Sequence, residues 1–90
     1  MLTARRYVVS GRVQGVGFRY FVLEAATAEG LSGWVSNLPD GRVDVLAEGE
    51  REAVERFEGR LRRGPPNASV AGVESSEEPP SGRFTGFRVA

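Results

Sequence analysis

The chain has 90 residues, 40% of them hydrophobic, with 12 basic and 12 acidic side chains and neither cysteine nor histidine. Disulfides, thiolate chemistry, iron–sulfur clusters and a zinc site built from His and Cys are thereby excluded, as is histidine as a general base. A formal charge of zero argues against bulk electrostatic attraction to nucleic acid or an acidic membrane, and no stretch approaches the ~20 apolar residues that cross a bilayer.

The length suits one domain spanning residues 1–90, which buries only about 60–65% of the surface its unfolded chain exposes. The start, MLTARRYVV, has basic residues but no apolar run or small-residue cleavage site, so a cytoplasmic protein is expected. RRYVVSGRV then alternates with period two, setting Tyr7, Val9, Gly11 and Val13 on one face of a first strand. VQGVGF is a glycine-containing turn. From Phe18 the period becomes helical, with Phe18, Phe21, Val22 and Ala25 on one stripe, and Gly30 is placed to end that helix. LSGWVSN and RVDVLAEG alternate again around the turn signal NLPDG and read as a β-hairpin. Leu31, Gly33 and Val35 share one face, with Trp34 on the other, and Val43, Val45 and Ala47 face one way. EREAVERFEGRLRR makes a second helix, with Val54, Phe57 and Leu61 facing inward. Glu50 and Glu52 are expected in its first turn and Arg60, Arg62 and Arg63 at its end, the order the macrodipole favours. Gly64-Pro65-Pro66 stops it. ASVAGVES and RFTGFRVA complete the chain as two short strands on either side of the breaker-rich SEEPPSG.

The order βαββαβ, with an additional short C-terminal strand, predicts an α+β fold, the ferredoxin-like two-layer α/β sandwich. Both helices would lie on one face of a mostly antiparallel sheet, the first strand would be central beside the third, and the other face would meet water. Such a scaffold hosts many functions, so the fold alone does not choose one.

The first strand–loop–helix junction carries the chemical signal. A helix start leaves backbone N–H groups unpaired and partly positive, which suits an anion. Gly15 and Gly17 let the chain turn sharply so that those groups converge. Arg19 falls in the first helical turn, where the macrodipole disfavours a cation and a bound anion would resolve the conflict. No Gly-Lys-Ser/Thr follows, and no third glycine stands at Tyr20, so neither the nucleotide-hydrolase loop nor the dinucleotide fingerprint fits. On these residues alone, a structural glycine turn with a solvated arginine accounts for the segment equally well. Asn37, before Pro39-Asp40-Gly41, reads on its own as a turn former.

GRVQGVGFRYF (11–21) and GLSGWVSNLPDGRVDVLAEG (30–49), with the closing FTGFRV, closely resemble the acylphosphatases over nearly the whole chain. The resemblance implies the same ferredoxin-like fold and hydrolysis of a carboxylic–phosphoric mixed anhydride to a carboxylate and inorganic phosphate. It implies a phosphate cradle across the amides of Gln14, Gly15, Val16, Gly17 and Phe18. Arg19 would bind the phosphate and Asn37 would orient water. Tyr20, Thr27 and Ser36 receive no role from it. No metal or cofactor is implied, and the expected partners are an acyl phosphate and inorganic phosphate, with no nucleic acid, no membrane and a monomeric state.

Two other readings use the same residues. A domain handling carbamoyl phosphate within a larger maturation system would share the motifs, but such domains come with long extensions that these residues do not include. An RNA binder of this fold would present aromatic residues on its central strands and a positive surface. RVDVLAEG has no aromatic residue, and the charge is balanced.

Overall fold

The computed structural model describes residues 1–90. The elements are β1 (Leu2–Arg12), α1 (Phe18–Ala28), β2 (Ser32–Asn37), β3 (Val43–Glu50), α2 (Arg51–Arg63), β4 (Ser69–Glu78) and β5 (Phe87–Val89). The sheet order is β4-β1-β3-β2-β5, so β1 is interior and lies beside β3 as expected. All pairings are antiparallel except β2 with β5. This is the expected ferredoxin-like α+β sandwich with a fifth strand. Neither helix is long and apolar enough to cross a membrane.

The core is the layer between helices and sheet. Tyr7, Val9, Val35, Val43, Val45 and Ala47 come from the strands; Phe18, Val22, Ala25, Val54, Phe57 and Leu61 come from the helices. Replacing one of the large members, such as Phe57, by alanine costs about 3–5 kcal/mol. Gly30, at φ +68°, follows Glu29 at the end of α1, as the sequence suggests. One expected face breaks. Gly11 is exposed although Val9 and Val13 are buried, because the β1–β4 register shifts between Ser10 and Gly11. The bulge lies just ahead of the glycine loop and takes Gly11 out of the alternation.

A second correction concerns Glu50. It closes β3 with extended backbone angles and flanks α2 rather than lying in its first turn. Its carboxylate pairs with the Met1 amino group at 2.6 Å. β3 passes into α2 with no loop between them, a junction that the charge pattern does not reveal. Glu52 is the first-turn acid, and Arg60, Arg62 and Arg63 occupy the last turn as expected.

The third correction is the outer face of the sheet, which does not simply meet water. β4 and β5 stand at opposite edges, so the chain between them must cross the sheet, and the helices already fill the other side. The crossover is fastened to β3. Glu48, nearly fully buried, accepts from the Ser81 N–H at 3.0 Å and the Gly82 N–H at 2.7 Å. Beside it, Arg6 donates twice to buried Asp44, at 3.0 and 2.6 Å, and lies over the Trp34 ring. β4 runs on to Glu78, through residues expected to break it, whereas β5 has only three residues.

At the rim of the core, Glu58 of α2 gathers three donors: Arg5 at 2.9 Å, Tyr7 Oη at 3.1 Å and Arg62 at 3.1 Å. Burial pushes the Glu58 carboxyl up. The hydrogen bonds from Arg62, Arg5 and Tyr7 together outweigh that effect and hold it below its ordinary range. The same burial, next to a carboxylate, pushes the Tyr7 phenol up.

Candidate active site

The loop between β1 and α1 is anchored at both ends by buried apolar side chains, Val13 and Phe18, each 1% exposed. Between them Gly15 and Gly17 adopt left-handed conformations, φ +73° and +75°, which only glycine takes without strain. Alternation of this kind turns successive N–H groups toward one side, the geometry of an anion nest. Gly17 is the N-cap of α1, where no side chain caps the helix and no acid occupies the first turn. The first helical bond is Phe21 N–H to Gly17 O at 3.1 Å, so the amides ahead of it lack intrahelical acceptors.

Gln14 fixes where this loop sits. Its side-chain amide donates to Leu38 O at 2.8 Å and Arg42 O at 2.9 Å, tying the glycine loop to the β2–β3 turn. Asn37 is the last residue of β2, immediately before that turn. The result is a recess of about 130 Å³ lined by Val13, Gln14, Gly15, Gly17, Phe18, Arg19, Tyr20 and Asn37.

Six of the seven residues singled out from sequence therefore meet at one place. Val16 does not line the recess; its side chain packs against the core, leaving its amide as its possible contribution. Arg19 is held at its far side by Ala90, whose main-chain oxygen accepts from a guanidinium nitrogen at 3.0 Å. Asn37 Oδ1 is buried with no hydrogen-bond donor, an arrangement that costs about 1–3 kcal/mol unless something occupies the recess. The lining holds no carboxylate. Arg19 brings a guanidinium cation to the recess at the helix start. Three features are not expected from the sequence: the Gln14 clamp, the Ala90 brace and Tyr20 at the rim. The clamp and the brace join residues distant in sequence and leave no periodic signal. Tyr20 follows the motif arginine directly, which is the one local hint available.

The acylphosphatase family model matches residues 5–89. This chain belongs to the acylphosphatase family. Relatives bear this out. An acylphosphatase of Rubrobacter xylanophilus is 55% identical, over 93% of this chain and 76% of its own length. One of Alkalilimnicola ehrlichii is 51% identical, over 99% of both chains. The crystal structure of acylphosphatase from Bacillus subtilis superposes with a TM-score of 0.94 at 41% identity, covering 100% of this chain and 99% of that one. Family membership makes the chain a hydrolase of acyl phosphates.

Proposed function

We propose that the recess performs this hydrolysis, with the loop amides and Arg19 holding the phosphoryl group and Asn37 placing the attacking water. The observation that carries the reading is the meeting of an uncapped helix start, a guanidinium cation and an unpartnered buried carbonyl in one recess. The N–H groups from Gln14 to Phe18 suffice to give each equatorial phosphoryl oxygen at least one donor, and their partial positive charge complements it. An Arg19–phosphate contact at ~4 Å contributes about 4 kcal/mol at an effective dielectric near 20, before desolvation. Bidentate geometry adds direction to that attraction.

Asn37 Oδ1 accepts one hydrogen from water and so orients its oxygen toward phosphorus, while the side-chain N–H₂ can donate. Water attacks phosphorus, the bond from phosphorus to the acyl oxygen breaks, and the carboxylate departs with the bonding pair. The water's proton passes to a phosphoryl oxygen. No protein base is required in this scheme, in keeping with a lining that holds no carboxylate. A carboxylate leaves readily, so no strong acid is required either, and positioning supplies much of the rate. We expect the enzyme to act as a cytoplasmic monomer on a small substrate.

The test is phosphate release from a synthetic acyl phosphate by the wild type, Arg19→Gln and Asn37→Ala, alongside thermal unfolding with and without inorganic phosphate. Both variants should lose nearly all turnover. In the wild type, phosphate at about 100 times its dissociation constant should stabilise the fold by about 2.7 kcal/mol. That stabilisation should vanish in Arg19→Gln and survive largely intact in Asn37→Ala. Turnover near the wild-type level in both variants would refute these roles.

A further inference from the structure

A second and larger cavity, of about 210 Å³, lies on the outer face of the sheet, away from the helices. Trp34 of β2 and Arg88 of β5, register partners in the parallel pair, form its floor. The crossover supplies the wall through Arg83, Phe84 and Thr85, and Gly86 O is held by the Gly33 N–H at 3.1 Å. The indole is itself buttressed, because the guanidinium of Arg6 lies 5.7 Å from its ring centroid and is held by the two hydrogen bonds it donates to Asp44.

The charge around this cavity is unusual for a chain with no net charge. Of the 12 arginines, Arg5, Arg6, Arg42, Arg51, Arg56 and Arg62 are paired with carboxylates. Arg83 and Arg88 have no such partner, and both line this one cavity. Arg19 in the phosphate recess is the other unpaired arginine that lines a cavity, whereas Arg12, Arg60 and Arg63 line none. Two guanidinium groups beside a buttressed indole and a phenyl ring offer a fork for an anion and a surface for a planar group. The volume is below the usual range for drug-sized ligands, so the occupant is small.

We propose that this cavity is a second ligand site, distinct from the phosphate recess, and that it takes a small aromatic carboxylate. The ring lies against Trp34 and Phe84, and the carboxylate meets Arg83 and Arg88. The site adjoins the recess through one residue: Ala90 lines the cavity and also accepts the hydrogen bond from Arg19.

The test is a titration of isotope-labelled protein with sodium benzoate, followed by proton–nitrogen NMR, in saturating inorganic phosphate. Phosphate occupancy of the recess is read independently from the Gly15 and Gly17 amides. The Trp34 indole N–H and the Gly86 and Ala90 amides should shift saturably, with a dissociation constant on the order of 1 mM. The double variant Arg83→Gln/Arg88→Gln should weaken binding about tenfold or more. The double variant Arg12→Gln/Arg63→Gln, which removes two equally exposed charges, should bind as the wild type does. Neutral benzamide should not bind. All four substitutions lie at exposed positions, and retained acyl phosphate hydrolysis will report an intact fold. Shifts confined to Gly15, Gly17 and Arg19 and abolished by phosphate would overturn the proposal, because benzoate would then occupy the recess alone. Equal binding of benzamide, or no change in the Arg83/Arg88 variant, would overturn it as well.

Discussion

The two helices treat the same position in opposite ways. Arg19 is the second residue of α1, and Glu52 is the second residue of α2. α2 has the acid Glu52 near its start and three arginines in its last turn, although Arg51 stands at its first position, paired with Glu55, and no side chain caps it. Its leading amide, on Arg51, donates to Met1 O at 3.1 Å. α1 has no acid in its first turn, no base in its last, and a glycine as N-cap. The order of charges favours α2 on balance and α1 at neither end. A helix start left uncapped and given a cation has forgone about 0.3–1 kcal/mol that an acid would supply, and such a departure from local consistency is a mark of function.

Exchanging the charges tests this contrast most severely. Arg19→Glu should reduce turnover by more than about 10³-fold, since it removes the cation and places a repelling charge in the recess. Its effect on stability should stay within about 1 kcal/mol, because the macrodipole gain offsets the lost bond to Ala90. Urea unfolding without phosphate measures the second quantity, and a large loss of stability would show that Arg19 is chiefly structural. A smaller effect is expected on the α2 side. Glu58→Gln should destabilise the fold by about 1–3 kcal/mol at neutral pH, through weaker bonds to Arg5, Tyr7 and Arg62.

The sign with pH follows from the lowered Glu58 carboxyl. Its stabilisation is fully present above the ordinary value of 4.5 and is lost as pH falls through the lower folded value. The gap between wild type and Glu58→Gln should accordingly close in acid, and a gap that persists there would place the effect in packing instead. The mildest test is Glu52→Arg. It should cost about 0.3–1 kcal/mol, screened by salt, with no change in turnover.

Legibility in the sequence followed the range of the interaction. The β2–β3 hairpin was visible because its alternation and its turn, Asn37 to Gly41, are contiguous, and α2 was visible because Val54, Phe57 and Leu61 share one stripe. The glycine loop and Arg19 could be noticed through a local conflict with the macrodipole. Their conjunction with Asn37 needed the family resemblance, since on its own Asn37 is an ordinary turn residue. The rest depended on contacts between distant residues. The bulge at Gly11 belongs to the pairing with β4, and Glu50 closes β3 with the distant Met1 amino group as its partner. The buried Glu48 on a face expected to meet water answers to Ser81 and Gly82, more than thirty residues away. No period of two or 3.6 residues encodes such ties.

The crossover from β4 to β5 also sets the order of events in folding. Arg19 and Ala90 are 71 positions apart. Contacts of that span close slowly, because the chain must lose much of its freedom before they form. The β2–β3 hairpin forms across a short turn, whereas β5 docks only after the chain has been laid across the whole sheet. The brace on Arg19 should thus be among the last contacts made. During refolding, recovery of hydrolysis should lag behind recovery of secondary structure, so that the enzyme's own turnover times the closing of its final strand.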